Sequence, residues 1–127
     1  MLNPAPLFPN IFEHRRVFIT GHTGFKGSWL SAWLTLLGAE VTGYGLPPER
    51  DEDHFNLLNL SKRMRHIEGD IRDDAHLRKA VHSARPEFVF HLAAQPLVLR
   101  SYADPKTTFD TNVGGSVNLL EAVRAVH

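Results

Sequence analysis

Residues 17–38 have the sequence VFITGHTGFKGSWLSAWLTLLG, in which an apolar run and three evenly spaced glycines precede a helical pattern. The run from Val17 to Thr20 is rich in β-forming residues, as in a strand that is buried on both faces. Gly38 stands where a glycine commonly follows the last turn of a helix. The stretch therefore predicts a strand, a glycine-rich turn and a helix. The large apolar residues of that helix recur at helical spacing: Trp29, Leu30, Trp33, Leu34 and Leu37.

A strand, a glycine-rich turn and a helix in this order are the context in which three glycines bind a dinucleotide pyrophosphate. Gly21 would permit the tight turn, and Gly24 would let the backbone approach the phosphates. Gly27 would let the helix pack closely on the strand. The N–H groups of the first helical turn have no partner within the helix and would face the anion. We predict a dinucleotide-binding turn, with a purely structural turn as the alternative.

The composition is typical of a globular chain with one core. The 127 residues are 43% hydrophobic and 22% charged, and a chain of this length can bury a core. The formal net charge of zero gives no electrostatic argument for a nucleic acid or an anionic membrane as a partner. The absence of cysteine excludes disulfides and is compatible with a reducing compartment. No apolar run is long enough to span a membrane, so we expect a cytoplasmic protein.

Strand and helix patterns alternate along the rest of the chain. Parallel strands joined by helices form right-handed crossovers. We therefore predict an α/β fold, the N-terminal half of a Rossmann-type doubly wound parallel sheet, with strand order 3-2-1-4. The predicted elements after the first helix are strands at 40–44, 65–70 and 87–93, a helix from Asp73 or Asp74 to Ala84, and a final helix that Asp104 caps and Pro105 begins.

The predicted sheet is incomplete at one edge. The fourth strand is apolar throughout, but the sequence offers no strand to pair with its outer edge, and exposed apolar edges favour aggregation. The final helix reaches His127 without a capping signal. We therefore expect residues 1–127 to be a truncated, N-terminal part of a dinucleotide-binding domain, with the substrate domain absent. One side of the final helix carries Phe109, Val113, Val117, Leu120 and Val123.

The second strand departs from the usual dinucleotide pattern. An acid that binds the adenosine ribose is expected about twenty residues past the first glycine. That region, Val41 to Gly45, has no carboxylate. Glu49 lies in the following loop, and Arg50 beside it would equally suit a 2′-phosphate. These residues do not decide between NAD and NADP.

Other candidate site residues lie at the carboxyl ends of the strands. Asp70 follows the third strand, where it would meet an adenine amino group or simply serve the turn. The small residues of Leu92–Gln95 would let a cofactor lie against the backbone at the crevice, with close packing as the alternative. Lys26 would point toward the phosphates or toward solvent. His91 is interpreted as a hydrogen-bonded structural imidazole, and Asn112 as a tie between the last helix and a strand.

Two further patterns are interpreted as coincidences. The eight histidines contain no His-x-x-x-His pair and are scattered over several elements, so we predict no metal site. Tyr102 and Lys106 have the spacing of an acid–base pair on one helix. Because Asp104 and Pro105 start a helix between them, we place Tyr102 in a loop, off the helical face of Lys106.

The chain resembles the extended short-chain dehydrogenase/reductases that act on nucleotide sugars. The resemblance covers nearly the whole chain, and its motifs fall in family order: Thr20–Gly27, Gly69–Asp73, His91–Ala94 and Thr111–Gly115. More narrowly, Gly21–Leu30, Gly43–Pro48 and Ala94–Tyr102 are similar to the CDP-glucose 4,6-dehydratase subgroup, in which the second strand also lacks the acid.

This resemblance implies NAD as the cofactor and CDP-glucose as the substrate. The alternatives are an NAD(P)-dependent nucleotide-sugar epimerase or reductase of the same superfamily and a non-catalytic dinucleotide-binding module. It implies a lyase reaction in which NAD takes hydride from C4 of the sugar, water leaves across C5 and C6, and hydride returns to C6. The catalytic Tyr-x-x-x-Lys pair of the family and its sugar-binding domain are expected further along than His127, so we assign no catalytic residue here. The resemblance also implies a homodimer of the full-length protein that uses an apolar face of the long helix, with a place in the core as the alternative for that face. The residues that the resemblance implies for cofactor binding are Gly21, Thr23, Gly24, Phe25, Lys26, Gly27, Asp70, Ile71, Leu92, Ala93, Ala94 and Gln95.

Overall fold

A computed structural model describes residues 10–127 and contains one four-stranded sheet. All strand pairs are parallel, and the order is β3-β2-β1-β4, which confirms the predicted topology. No other strand lies along the outer edge of β4 within residues 10–127. The strands are β1 (Arg16–Thr20), β2 (Glu40–Gly45), β3 (Arg65–Glu68) and β4 (Phe88–His91).

The central strand β1 is buried because the sheet is covered on both faces. Val17 and Ile19 pack on one face with Leu34, whereas Phe18 packs on the other face with Tyr44. This alternation follows from the two-residue period of a strand. An apolar run without alternating polar residues therefore indicates a strand that is covered by helices on both faces of the sheet.

The helices lie between the strands, as predicted, with additional short elements. Asp73 caps α3 by accepting a hydrogen bond from the His76 N–H, and Asp104 caps α5 by accepting one from the Thr107 N–H. Both predicted caps are confirmed. The helices are α1 (Phe25–Leu36), α2 (His54–Leu57), α3 (Asp74–Ala84), α4 (Val98–Ala103), α5 (Pro105–Phe109) and α6 (Gly115–Arg124), with a 3-10 turn at Leu60–Lys62 and a π-helical segment at Asp110–Gly114.

The first helix begins and ends as predicted, and Leu34 is the only one of its regularly spaced large apolar residues that is fully buried. Gly38 follows it with a φ of 84°, in the left-handed region that favours glycine. The tryptophans are exposed by about half, Trp29 by 55% and Trp33 by 47%. The face against the sheet instead consists largely of small residues, which let the helix approach the strands closely: Gly27, Ser28, Ser31 and Leu34.

The final helix also differs from its apolar pattern. Gly115, Leu119 and Ala122 are the buried residues of α6, and a Cβ at Gly115 would lie 2.5 Å from the Ile71 Cγ2 atom. Close packing on Ile71 therefore selects a face of small residues. Most of the predicted stripe lies outside the core as a surface of exposed apolar side chains: Phe109, Val113, Val117 and Leu120.

None of the helices within residues 10–127 has the length and hydropathy needed to cross a bilayer.

Candidate functional site

The glycine-rich turn is held by close backbone contacts. The Gly21 N–H donates to the Tyr44 carbonyl over 2.9 Å, and Gly21 has a φ of 74°. A Cβ at Gly21 would lie 2.7 Å from the Ala93 backbone nitrogen, and one at Gly27 would lie 2.0 Å from the Gly21 carbonyl oxygen. No side chain fits at either position. The predicted reasons for these two glycines, a tight turn and close helix packing, are confirmed.

The outer side of the same turn is open. Gly24, Phe25 and Lys26 are exposed, and a Cβ at Gly24 would meet only the Gly21 carbonyl oxygen, at 3.4 Å. The helix begins at Phe25 without a side-chain cap, so its first N–H groups have no intrahelical acceptor. Such a helix end with an unhindered approach suits a phosphate group. Thr23 lies beside this opening and donates its hydroxyl hydrogen to the Leu46 carbonyl over 2.7 Å.

Thr20 joins the end of β1 to the end of β4. Its Oγ1 atom accepts hydrogen bonds from the N–H groups of Leu92 (3.1 Å) and Ala93 (3.2 Å) and lies 2.6 Å from His91 Nδ1. Because the oxygen already accepts two hydrogens, its own hydrogen donates to His91 Nδ1. His91 then carries its hydrogen on Nε2, which faces the Ser116 hydroxyl at 3.0 Å. The hydrogen bonds agree with the predicted structural role of His91, and partial burial lowers its pKa.

Asn112 ties the last helix to the segment that follows β4. Its Oδ1 accepts from the Gln95 N–H over 2.8 Å, and its Nδ2 donates to the Gln95 carbonyl over 3.2 Å. This contact confirms the predicted tie. The Gln95 amide side chain is itself buried and bound to Leu97 and Thr108. Ala94 beside it is exposed.

Asp70 serves the turn after β3. Arg72 donates to its carboxylate from Nη2 (2.6 Å), from Nε and from its backbone N–H (2.9 Å), and these bonds lower the pKa of Asp70. Contact with an adenine stays a prediction. Ile71 has its side chain in the core, and its carbonyl accepts a hydrogen bond from Asn118 Nδ2 over 3.1 Å. An open groove of about 570 Å³ is lined by Asp70, Arg72, Asp73, Asp110, Gly114 and Asn118.

The end of β2 offers no side chain for the adenosine ribose, since Gly45 is followed by the apolar Leu46. The nearby loop cation is already paired. Arg50 Nε donates to Asp53 Oδ1 over 3.1 Å, and Asp53 Oδ2 also accepts from the backbone N–H groups of Glu49 and Arg50. A 2′-phosphate would have to compete with Asp53 for Arg50.

The placement of Tyr102 in a loop was wrong. Tyr102 belongs to α4, a helix that the sequence did not predict, whereas Lys106 belongs to α5. The two residues therefore remain on separate helices. Tyr102 is 82% exposed, and the Lys106 ammonium pairs with Asp110 one turn later.

Sequence reasoning missed a pair of histidines under the turn. His22 is completely buried, and its Nε2 atom lies 2.6 Å from Nδ1 of His66 on β3. The two residues are 44 positions apart, and no local pattern joins them. Only the adjacency of β3, β2 and β1 in the sheet brings them together.

Comparison with known proteins identifies the family. Residues 18–127 match the family model for GDP-mannose 4,6 dehydratase. The chain belongs to this family. It is a family of nucleotide-sugar dehydratases and epimerases within the extended short-chain dehydrogenase/reductases.

Individual family members differ in their named reactions. The chain is 51% identical to CDP-glucose 4,6-dehydratase of Salmonella typhimurium, over 92% of this chain and 33% of that protein. It is 32% identical to GDP-mannose 4,6-dehydratase of Vibrio cholerae, over 87% of this chain and 31% of that protein. The chain thus spans about a third of the length of these family members.

A solved family structure has the same fold. UDP-glucose 4-epimerase of Thermus thermophilus, in complex with NAD, superposes with a TM-score of 0.77 at 33% identity, over 87% of this chain and 34% of that one. The match confirms the Rossmann-type half-sheet, and the NAD in that structure and in others of the family indicates a family that binds NAD.

Proposed function

We propose that this chain forms the NAD-binding part of a nucleotide-sugar dehydratase that converts CDP-glucose to CDP-4-keto-6-deoxyglucose. The observation that carries the proposal is the open outer side of the glycine-rich turn, where Gly24 leaves space in front of an uncapped helix end. The identity of 51% to a CDP-glucose 4,6-dehydratase supports the choice of substrate. Bound NAD would supply the hydride acceptor and donor for the internal redox steps.

In this proposal the chain binds and orients the dinucleotide. The first backbone N–H groups of α1, with Lys26, hold the pyrophosphate. Asp70 and the Ile71 backbone bind the adenine. The segment from Leu92 to Gln95 lies beside the ribose and nicotinamide, and Thr20 and Asn112 keep its backbone in place. These contacts position the nicotinamide but transfer no proton, so the acid–base residues belong to the rest of the full-length enzyme.

The preference for NAD over NADP is supported by the loop after β2. A 2′-phosphate carries additional negative charge and needs a free cation nearby. Arg50 is engaged by Asp53, whose own carboxylate would repel such a phosphate. Equal affinity for the two dinucleotides would contradict this part of the proposal.

The test uses the full-length protein that carries this chain. Incubation with CDP-glucose should give a product lighter by one water, detected by mass spectrometry, and GDP-mannose and UDP-glucose should react more slowly. Turnover of UDP-glucose to an isomer of unchanged mass would favour the second candidate, an epimerase, which the similarity to UDP-glucose 4-epimerases supports. Dinucleotide binding without any turnover would favour a non-catalytic binding module.

A matched pair of variants tests the site itself. Gly24 has a φ of −70° and room for a methyl group, so Gly24→Ala should leave the stability of the protein nearly unchanged. The added methyl group would stand where the pyrophosphate approaches, so the affinity for NAD should fall about tenfold or more. Ser83→Ala, at an exposed position on α3 outside the residues proposed to hold the dinucleotide, is the control. Unchanged NAD affinity in Gly24→Ala would refute the proposed pyrophosphate position.

The proposal also includes a cytoplasmic location and a homodimer of the full-length protein. The absence of cysteine supports the first. The exposed apolar residues Phe109, Val113, Val117 and Leu120 support the second, since clustered apolar side chains on a surface commonly mark an interface. Analytical ultracentrifugation of a Val117→Glu variant should show a monomer where the parent is a dimer.

A further inference from the structure

His22 occupies a closed site beneath the glycine-rich turn. A Cβ at Gly43 would lie 2.2 Å from His22 Cγ, so the imidazole fits only because β2 has a glycine there. The Phe55 ring contacts His22 edge-on, with centroids 5.3 Å apart, and also covers His66 at 4.9 Å. His22 has no exposed surface, and His66 on β3 is its one hydrogen-bonding side chain among residues 10–127. The two rings therefore form an enclosed pair.

A single hydrogen lies between the two rings, because one nitrogen must donate and the other accept. If His22 Nε2 donates, His66 carries its own hydrogen on Nε2, which faces Glu68 Oε1 at 3.5 Å. If His66 Nδ1 donates instead, His66 Nε2 has a lone pair in place of a hydrogen, and that lone pair faces the Glu68 carboxylate. The geometry therefore favours donation from His22 to His66.

The environment of His22 keeps its imidazole neutral. Burial, followed by the neighbouring His66, lowers the pKa of His22 to about 4, against a smaller opposing effect of the Tyr44 backbone. Glu68 contacts His66 and not His22. At neutral pH His22 is thus an uncharged ring that hydrogen-bonds to His66.

The position of His22 determines the position of the turn. Its Cα would lie 2.9 Å from a Cβ at Gly27, and it directly follows Gly21, whose N–H is bound to Tyr44. A displacement of the imidazole would move the backbone between these two glycines. That backbone leads directly into Gly24 and the first N–H groups of α1.

We propose that His66 is a positioning residue for dinucleotide binding, which fixes the glycine-rich turn by accepting the Nε2 hydrogen of His22. The inference rests on the proposed function, because the turn is its dinucleotide site. His66 contacts no ligand itself and acts through His22. The link spans the sheet from β3 to the end of β1 and lies outside the glycine motif.

Two substitutions in the full-length protein separate the hydrogen bond from packing. His66→Leu introduces an apolar side chain of similar length and removes the Nδ1 acceptor. The affinity for NAD should therefore fall about tenfold. His66→Asn can place an amide oxygen near the former Nδ1 and should restore the affinity to within about threefold of the parent. His82→Leu, at an exposed position on α3, is the control and should bind as the parent does. Calorimetric titration with NAD measures all four proteins.

The outcomes distinguish this inference from the proposed function. If the parent binds NAD and both His66 variants bind equally well, the positioning role is refuted while the proposed function stands. If the parent binds no NAD, the proposed function fails, and the positioning role fails with it. Nitrogen-15 NMR of the imidazoles in the parent protein tests the hydrogen bond directly. This test does not depend on whether His66→Leu folds. We expect a neutral His22 with its hydrogen on Nε2, and a hydrogen on Nδ1 would overturn the inference.

Discussion

The end of β1 and the end of β4 form the two sides of the candidate site, and they are shaped in different ways. The turn after β1 depends on missing side chains, since a Cβ at Gly27 would lie 2.0 Å from the Gly21 carbonyl oxygen. The segment after β4 depends on side chains from elsewhere, since Thr20 and Asn112 bind its backbone. Substitutions should therefore act by steric conflict on one side and by loss of hydrogen bonds on the other.

The largest expected effect belongs to the steric side. Gly27→Ala forces the helix away from the turn and should lower the free energy of unfolding by at least about 3 kcal/mol, measured by urea denaturation. Gly114→Ala, with open space around it and helical dihedral angles, should instead raise it by about 0.5–1 kcal/mol. A mild effect of Gly27→Ala would show that the turn tolerates a side chain. It would contradict the conclusion that this side of the site depends on missing side chains.

Acidification tests the same side through His22. The pKa of this residue falls from its ordinary value of 6.5 to about 4 in the folded chain. Below pH 6.5 the unfolded chain binds a proton at His22 that the folded chain does not bind. The contribution of neutral His22 to the free energy of unfolding is therefore fully present above pH 6.5 and is lost as the pH falls toward 4. The free energy of unfolding should fall by about 3 kcal/mol over this range. Urea denaturation at several pH values measures the change.

The carboxylates should act in a lower pH window. The pKa values of Asp70 and Glu87 are below their ordinary values of 3.8 and 4.5, so their stabilisation is complete above those values and is lost only at lower pH. A stability that is flat between pH 6.5 and 4.5 would contradict the burial of a neutral His22.

On the hydrogen-bonded side, Thr20→Val should have an intermediate effect. The substitution keeps the side-chain shape but leaves the Ala93 N–H and His91 Nδ1 without the Thr20 hydroxyl. We expect a loss of about 2 kcal/mol in the free energy of unfolding. Thr20→Ser retains the hydroxyl and serves as the control. Equal losses in the two variants would show that the methyl group matters more than the hydrogen bonds.

Asn112→Ala should lower the free energy of unfolding less than Gly27→Ala or Thr20→Val. It removes both hydrogen bonds to the Gln95 backbone at a site that is only partly buried, so we expect a loss of about 1 kcal/mol. Hydrogen exchange should increase at the Gln95 N–H and remain unchanged at the Gly21 N–H. An increase at both would mean that the two sides of the site are not independent.

Most of the fold could be predicted from local patterns. The caps at Asp73 and Asp104 and the turn at Gly38 depend on neighbouring residues, and all three were predicted correctly. The buried faces of α1 and α6 could not be read from the sequence. Packing required small residues there, Gly27 against the Gly21 backbone and Gly115 against Ile71. Hydrophobic periodicity finds a helix but does not report how near it lies to its neighbour.

The sequence by itself determined the strands, the helices and the glycine-rich turn, because backbone sterics and residue periodicity act over short distances along the chain. The strand order followed from the general rule for right-handed βαβ crossovers. Only the tertiary structure decided that Thr20 holds the backbone after β4 and that His22 meets His66. Those contacts join residues 44 to 73 positions apart. They arise because the sheet sets strands from distant parts of the chain side by side, an arrangement that no local pattern encodes.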